Sequence, residues 1–471
     1  MATISSAGLG SGLDVASIVS QLMAIESQPK TDLATAATKI QTQISEVGKV
    51  TSALSKLRDL SSKLSSSSFW QQTTATSSST NVSVTSSSTA LSANYAVEVQ
   101  QLASAQALIG GQSFTSSTAA VGTGTLTIEM GSWGTNQTSF TAASTPSSAS
   151  ITVEATDTVE TLRDKINAAG IGVSASILTD ASGARLVLRS KTTGAENAFR
   201  TTVSGATGGV AALGYDPSSG VTGATQTKAA ADAKATVDGV AITSSTNTFA
   251  NVLDGVSLTA NALTAAPVNV TVSNDTATMK KTLQDFATAY TELNALIATD
   301  TKYDAANKKA GPLQGDSSVV GVQTSLRALL SASSTASSAY SRLSDAGFEL
   351  QRDGSLTVNS TKLDNALSNL SQLKALFADN PSNVASSEGF GKQFYDKTYS
   401  MLTTGGSIQA RSTALTDKLQ RNQKAQDALD QRLAQTKARL EKQYSALDTQ
   451  ISSLNGLSSY VTQQVAQWNK A

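Results

Sequence analysis

The chain has 471 residues, enough for roughly three domains at about 150 residues each. It contains no Cys and no His, and 35 basic residues stand against 35 acidic ones. These counts exclude disulfides, thiolate and imidazole catalysis and Cys- or His-ligated metals, and they leave no net field to attract nucleic acid or an anionic membrane. Charged residues are only 15% of the chain, so Ser, Thr, Ala and Gln must carry the surface. The composition points to a protein that works by contact. No catalytic residue, cofactor or metal ligand is expected.

The first basic residue is Lys30, so the N-terminus lacks the charged and apolar segments of a secretory signal. No stretch approaches the roughly 20 apolar residues that span a bilayer, and no membrane insertion is expected. Gly8, Gly10 and Gly12 have no preceding strand and lack G-x-G-x-x-G spacing, which indicates a flexible terminus and not a phosphate loop. Asp14 is placed to cap a helix whose apolar face is Val15, Ile18, Val19, Leu22 and Ile25. Pro29 separates it from a longer helix over 30–64. There Leu33, Ile40, Val47 and Leu54 repeat every seven residues, a coiled-coil seam ended by Ser65–Ser68.

From residue 71 the apolar period changes to two. Tyr95, Val97 and Val99 alternate with polar neighbours, as do Leu126, Ile128 and Met130, then Ile171, Val173, Ala175 and Ile177, then Val268, Val270 and Val272. Asp180–Gly183, Asp238–Gly239 and Asp254–Gly255 are turn signals between such runs. One short helix intervenes, with Val159, Leu162 and Ile166 on a face. Thr73–Thr80 and Ala142–Ser150 read as Ser/Thr-rich loops. The whole of 71–275 is therefore expected to be β-rich, in two modules.

Helical spacing returns at Asp275, where Met279, Leu283, Phe286, Tyr290, Leu293 and Ile297 form a packing seam. Shorter helices are expected around 326–330, 363–377 and 390–402, with a hairpin at Asp353–Gly354. The last sixty residues form a second coil: Leu433, Leu440, Leu447, Leu454, Val461 and Trp468 are each seven apart. Such a stripe is too narrow to be a core by itself, so the exposed seams at both ends imply partners.

Other polar features have ordinary readings. Asp300 and Asp304, near Lys302, Lys308 and Lys309, read as a solvated loop rather than an acid–base pair. Asp316 is placed as a helix N-cap. Lys280 and Lys281 read as solvated. Trp70, Trp133 and Trp468 have no matched carboxylates or aromatic cluster in the sequence to suggest a sugar site, and core packing is the default for Trp133.

The fold class is thus α+β, with terminal coiled-coil-like helices forming a stalk or leg around inserted β-rich head modules. Several segments resemble, in order, the bacterial flagellar filament cap proteins (hook-associated protein 2, FliD). Gly8–Asp14 with Ile18-Val19, Leu22-Met23, Glu26 and Pro29 is similar to that family's start, and Tyr95–Ala103 to its first β signature. Val270–Asp275, Phe286–Tyr290, Leu313–Ser317, Leu343–Phe348 and Asp353–Leu356 complete the series, while 106–230 matches least.

The resemblance implies a non-enzymatic cap at the distal flagellar tip, exported unfolded through the flagellar type III apparatus and assembled into a ring. It implies contacts with copies of itself, flagellin and hook–filament junction proteins, and an export chaperone at the C-terminal helix. Expected divisions are terminal helices 1–38 and 431–471, ordered only on assembly; a leg of 39–70 and 276–430; and β modules 71–105 with 228–275, and 106–227. The expected contact residues are Val15, Ile18, Val19, Leu22, Leu33, Ile40, Val47 and Leu54 at the N-terminal end, and Leu433, Leu440, Leu447, Leu454, Val461 and Trp468 at the other. A different axial flagellar component, or an adhesin binding host glycan or mucin through the β modules, remains the alternative.

Overall fold

A computed structural model describes residues 14–144, 148–378 and 387–469; the glycines at 8, 10 and 12 lie outside them. Its helices are α1 (Val15–Glu26), α2 (Gln28–Ser65), α3 (Val159–Ala168), α4 (Thr276–Thr301), α5 (Ser317–Leu330), α6 (Ser360–Ser368), α7 (Leu370–Phe377), α8 (Phe390–Leu402) and α9 (Ser407–Trp468). Residues 71–275 form one compact unit, and 1–70 with 276–471 form the other. This is the expected α+β arrangement of terminal helices around β-rich material.

In the helical unit the core is built from the seams read in the sequence. Val47, Leu54, Leu57 and Leu64 of α2 meet Leu283, Phe286, Tyr290 and Ile297 of α4, with Phe377, Phe390 and Phe394 filling between. Phe286 and Phe394 meet edge-to-face with ring centroids 5.1 Å apart. Each such side chain contributes about 1.5–3 kcal/mol by leaving water. Trp70 ends α2: its ring lies 5.9 Å from that of Phe377, and its Nε1–H donates to Leu64 O at 2.9 Å. A hairpin of Phe348–Leu350 and Leu356–Val358 is pinned to α4 by Thr291, whose hydroxyl bonds both N–H and C=O of Leu356. The hairpin turn needs Gly354, which has φ 85° and lies so close to Asn294 that a Cβ would come 2.9 Å from its amide nitrogen.

The β-rich unit contains two cores. Around one, an antiparallel five-stranded sheet runs in the order Thr73–Ser77, Val268–Asn274, Ala93–Gln101, Ala233–Val237 and Val240–Ser244; three further strands (248–253, 256–260 and 82–86) form a second sheet. Around the other, a six-stranded sheet centred on Gly124–Trp133 and a four-stranded sheet enclose α3, whose Val159, Leu162 and Ile166 are all buried. Two expected loops are strands in part. Thr73–Ser77 pairs with Val268–Asn274, and Ser148–Val153 pairs with Gly124–Trp133. Thr73–Ser77 has no alternating apolar set, so the valines of its partner supply the packing and β-branched Thr suits the pleat, whereas Ser148–Val153 turns Ala149, Ile151 and Val153 inward, an alternation that begins only at the end of the expected loop.

Candidate assembly surface

Asp14 caps α1 as expected, its carboxylate accepting from Ser17 N–H at 2.9 Å. Helix α1 then lays Val15 and Val19, both buried, along α9. Between them lies a groove of about 560 Å³ floored by Val15, Val19 and Met23 and edged by Lys437, Glu441 and Ser445. Pro29 falls in the first turn of α2, where its missing N–H costs nothing, so the chain bends at Ser27 and resumes as helix. The antiparallel run on α9 continues across this break. Lys30 Nζ meets Asp430 at 2.6 Å, and Leu33 lies beside Leu429.

The fourteen expected contact residues divide into three groups. Ile40, Val47 and Leu54 are buried in the core of the helical unit, so these three are corrected to core residues that offer nothing to a partner. Val15, Ile18, Val19, Leu22 and Leu33, with Leu433 and Leu440, are buried or half-buried in the α1–α2–α9 contact region. Leu447, Leu454, Val461 and Trp468 are exposed, Leu454 by 62% and Trp468 by 79%. Leu457, Tyr460 and Val465 extend that stripe and are also exposed. Leu457 and Tyr460 escape a strict seven-residue reading; the three-residue offset of Leu457 from Leu454 puts it on the flank of the stripe, and Tyr460 lies three residues on from Leu457, further round the helix. From Leu447 to Trp468 the stripe is about 30 Å long at 1.5 Å per residue. It is the feature a partner would cover.

Two of the readings above change in the structure. Asp300 is not solvated: it is buried at the end of α4, and burial first, then the Glu46 carboxylate, push its carboxyl above the ordinary range. Asp304 has no acid–base partnership with it to offer, since its carboxylate accepts from Ala306 N–H, Asn307 N–H and the Asn307 amide. Lys280 and Lys281 stay at the surface as expected and pair there with Asp364 and Asp285, contacts worth about 0–1 kcal/mol each. Trp133 does have an aromatic cluster, with Phe140 at 4.7 Å and Tyr215 at 5.9 Å between centroids. Arg200 stacks over Phe140 and engages Glu129 and Asp216, so these nearby carboxylates are occupied. Strand pairing brought Trp133 and Phe140 together with Arg200 and Tyr215, which lie about 60 to 80 residues further on, and no local spacing announces that.

Asp316 is the expected N-cap, accepting from Ser318 and Val319 N–H groups of α5. Its other oxygen takes Arg411 Nε at 2.6 Å, which ties the root of α9 to α5. Among the described residues no group of three or more acidic side chains is arranged to hold a metal, and no helix is long and apolar enough to cross a membrane.

Comparison with known proteins places these features in a family. Residues 11–106 match the sequence model of the flagellar hook-associated protein 2 N-terminus and residues 230–456 that of its C-terminus; 138–192 match the flagellin hook IN motif. The chain is 32% identical to flagellar hook-associated protein 2 of Escherichia coli K12, covering 98% of both chains. It is 30% identical to the B-type flagellar hook-associated protein 2 of Pseudomonas aeruginosa, covering 98% of this chain and 97% of the relative. The crystal structure of the D1–D2–D3 domains of the Escherichia coli flagellar cap protein FliD superposes with a TM-score of 0.61 at 30% identity, covering 79% of this chain and 99% of that one. Matched over almost its whole length and in its fold, the chain belongs to the flagellar hook-associated protein 2 family, the FliD cap proteins.

Proposed function

We propose that this chain caps the distal end of the flagellar filament, oligomerises there as a ring, and promotes insertion and folding of exported flagellin. The observation that carries the reading is full-length similarity to cap proteins in a chain whose α9 ends in an uncovered apolar stripe. A contact surface of this kind is weak per side chain and strong when repeated around a ring. It can release and re-seat as subunits are added. Terminal stretches 1–38 and 431–471 are the filament-facing base and gain lasting order from neighbours. The β modules (71–105 with 228–275, and 106–227) form the head.

Further partners fit the same reading. The chain reaches the tip through the flagellar type III export channel, with an export chaperone on α9, and meets hook–filament junction proteins on arrival. Chemistry plays no part in it, and the work is done by contact.

Immunogold electron microscopy of the producing bacterium, with antibody against residues 71–275, tests the proposal. Gold confined to filament tips is expected. Gold along the filament or at the hook would make the chain another axial component.

A further inference from the structure

Asp300 occupies a poor place for a negative charge. It lies in the last turn of α4, where the helix carbonyls already present negative dipole ends. The residue is 6% exposed, and its Oδ2 is buried with no donor. The backbone around it is firmly closed. Its carbonyl accepts from Leu313 N–H at 2.9 Å, and Gly311 N–H donates to Lys302 O at 2.9 Å, folding residues 302–313 over the helix end. A Cβ at Gly311 would come 2.3 Å from the Asp300 carbonyl oxygen. Gln43 of α2 holds the same loop by donating to Pro312 O at 3.1 Å.

The charged groups that act on Asp300 come from α2. Glu46 repels its charge and Lys49 attracts it, but Lys49 Nζ is already bound to Glu46 at 2.9 Å. Lys302, next in the loop, acts on Asp304 instead. An ionised Asp300 is therefore a buried charge with one oxygen unpaired, facing a like charge and the wrong end of a helix dipole.

We propose that Asp300 is a proton-operated latch of the helical unit: neutral, it lets the 302–313 loop close on the end of α4 and the middle of α2; ionised, it loosens that closure. The sign follows from linkage. Because the folded state favours the neutral carboxyl, the stability it lends is complete below the ordinary carboxyl range and is lost as pH rises through the folded value. Lys49 sets how far the latch opens. When Asp300 ionises, Lys49, whose charge already attracts it, is the cation that turns from Glu46 toward it.

Amide hydrogen exchange on the full chain, wild type against Asp300→Asn at the same pH, isolates the effect. At about pH 7.5 the Gly311 and Leu313 amides of the wild type should exchange on the order of threefold or more faster than those of the variant, and at about pH 3, below the ordinary carboxyl range, the two should agree. Equal protection at the higher pH, or a variant less protected at both, would overturn the latch. A carboxyl NMR titration of Asp300 provides a second reading that does not depend on the Asn side chain. Its midpoint should move down in Glu46→Gln and up in Lys49→Met, and no movement in either would also sink the proposal.

Discussion

Arg411 donates its Nε to Asp316 Oδ2 at 2.6 Å while the other Asp316 oxygen caps α5, so one carboxylate fixes both the start of α5 and the root of α9. The Asp316 side chain is almost wholly buried and Arg411 keeps about a third of its exposure, with side-chain values of 4% and 30%. The two roles can be separated by substitution. Asp316→Asn keeps an acceptor for the cap and loses the charge, and should cost about 1–2 kcal/mol. Asp316→Ala loses both and leaves Arg411 unpaired, and should cost about 3 kcal/mol. Urea unfolding followed by helical circular dichroism checks the order; equal losses would mean that the cap adds nothing beyond the pair to Arg411.

Two leucines on seven-residue repeats should behave in opposite ways. Leu54 is fully buried in the helical core, and Leu54→Ala should destabilise by about 2–5 kcal/mol. Leu454 projects into water from α9, and Leu454→Ala should change monomer stability by no more than about 0.5 kcal/mol. Under the proposed function the second variant still loses tip assembly, read by gold labelling of filaments in cells that carry it.

Removal of residues 1–38 deletes α1 and the start of α2 while sparing the core side chains from Ile40 onward. The truncated chain should remain folded, with its β-sheet circular dichroism intact, and should fail to cap. Collapse of the β signal would show that the N-terminal helices are needed for folding and not only for assembly.

Acid should unlock the α3 module through Asp157. Burial opposes its charge, but hydrogen bonds from Lys165, Glu154 N–H and Thr161 together outweigh burial and hold the carboxyl below its ordinary value. The stability it lends is present above the usual carboxyl range and is lost as pH falls through the lowered folded value. Lys165→Met should therefore flatten the acid limb of the unfolding profile while leaving stability above about pH 6 much less dependent on pH. Tryptophan fluorescence of Trp133 in the same module can follow it. An unchanged acid limb would remove Asp157 from the account.

The sequence by itself determined the class of this protein and most of its elements. The absence of Cys and His set aside common chemistries, and seven-residue and two-residue periods separated helix from strand, because a side chain's face depends only on local backbone geometry. Asp14, Asp316, Gly354 and the Asp–Gly turns were legible for the same reason: caps and tight turns are made within a few residues. Only tertiary structure decided which repeats were core and which were surface. Leu54 and Leu454 obey one pattern, yet α4 and α8 cover the first and no other part of the described chain covers the second. Likewise Ser/Thr-rich Thr73–Ser77 became a strand because Val268–Asn274 offered it a ladder, and Arg411 found Asp316 from 95 residues away. Burial, pairing and the fate of a charge such as Asp300 depend on which distant segments arrive beside a residue, and periodicity carries no record of that.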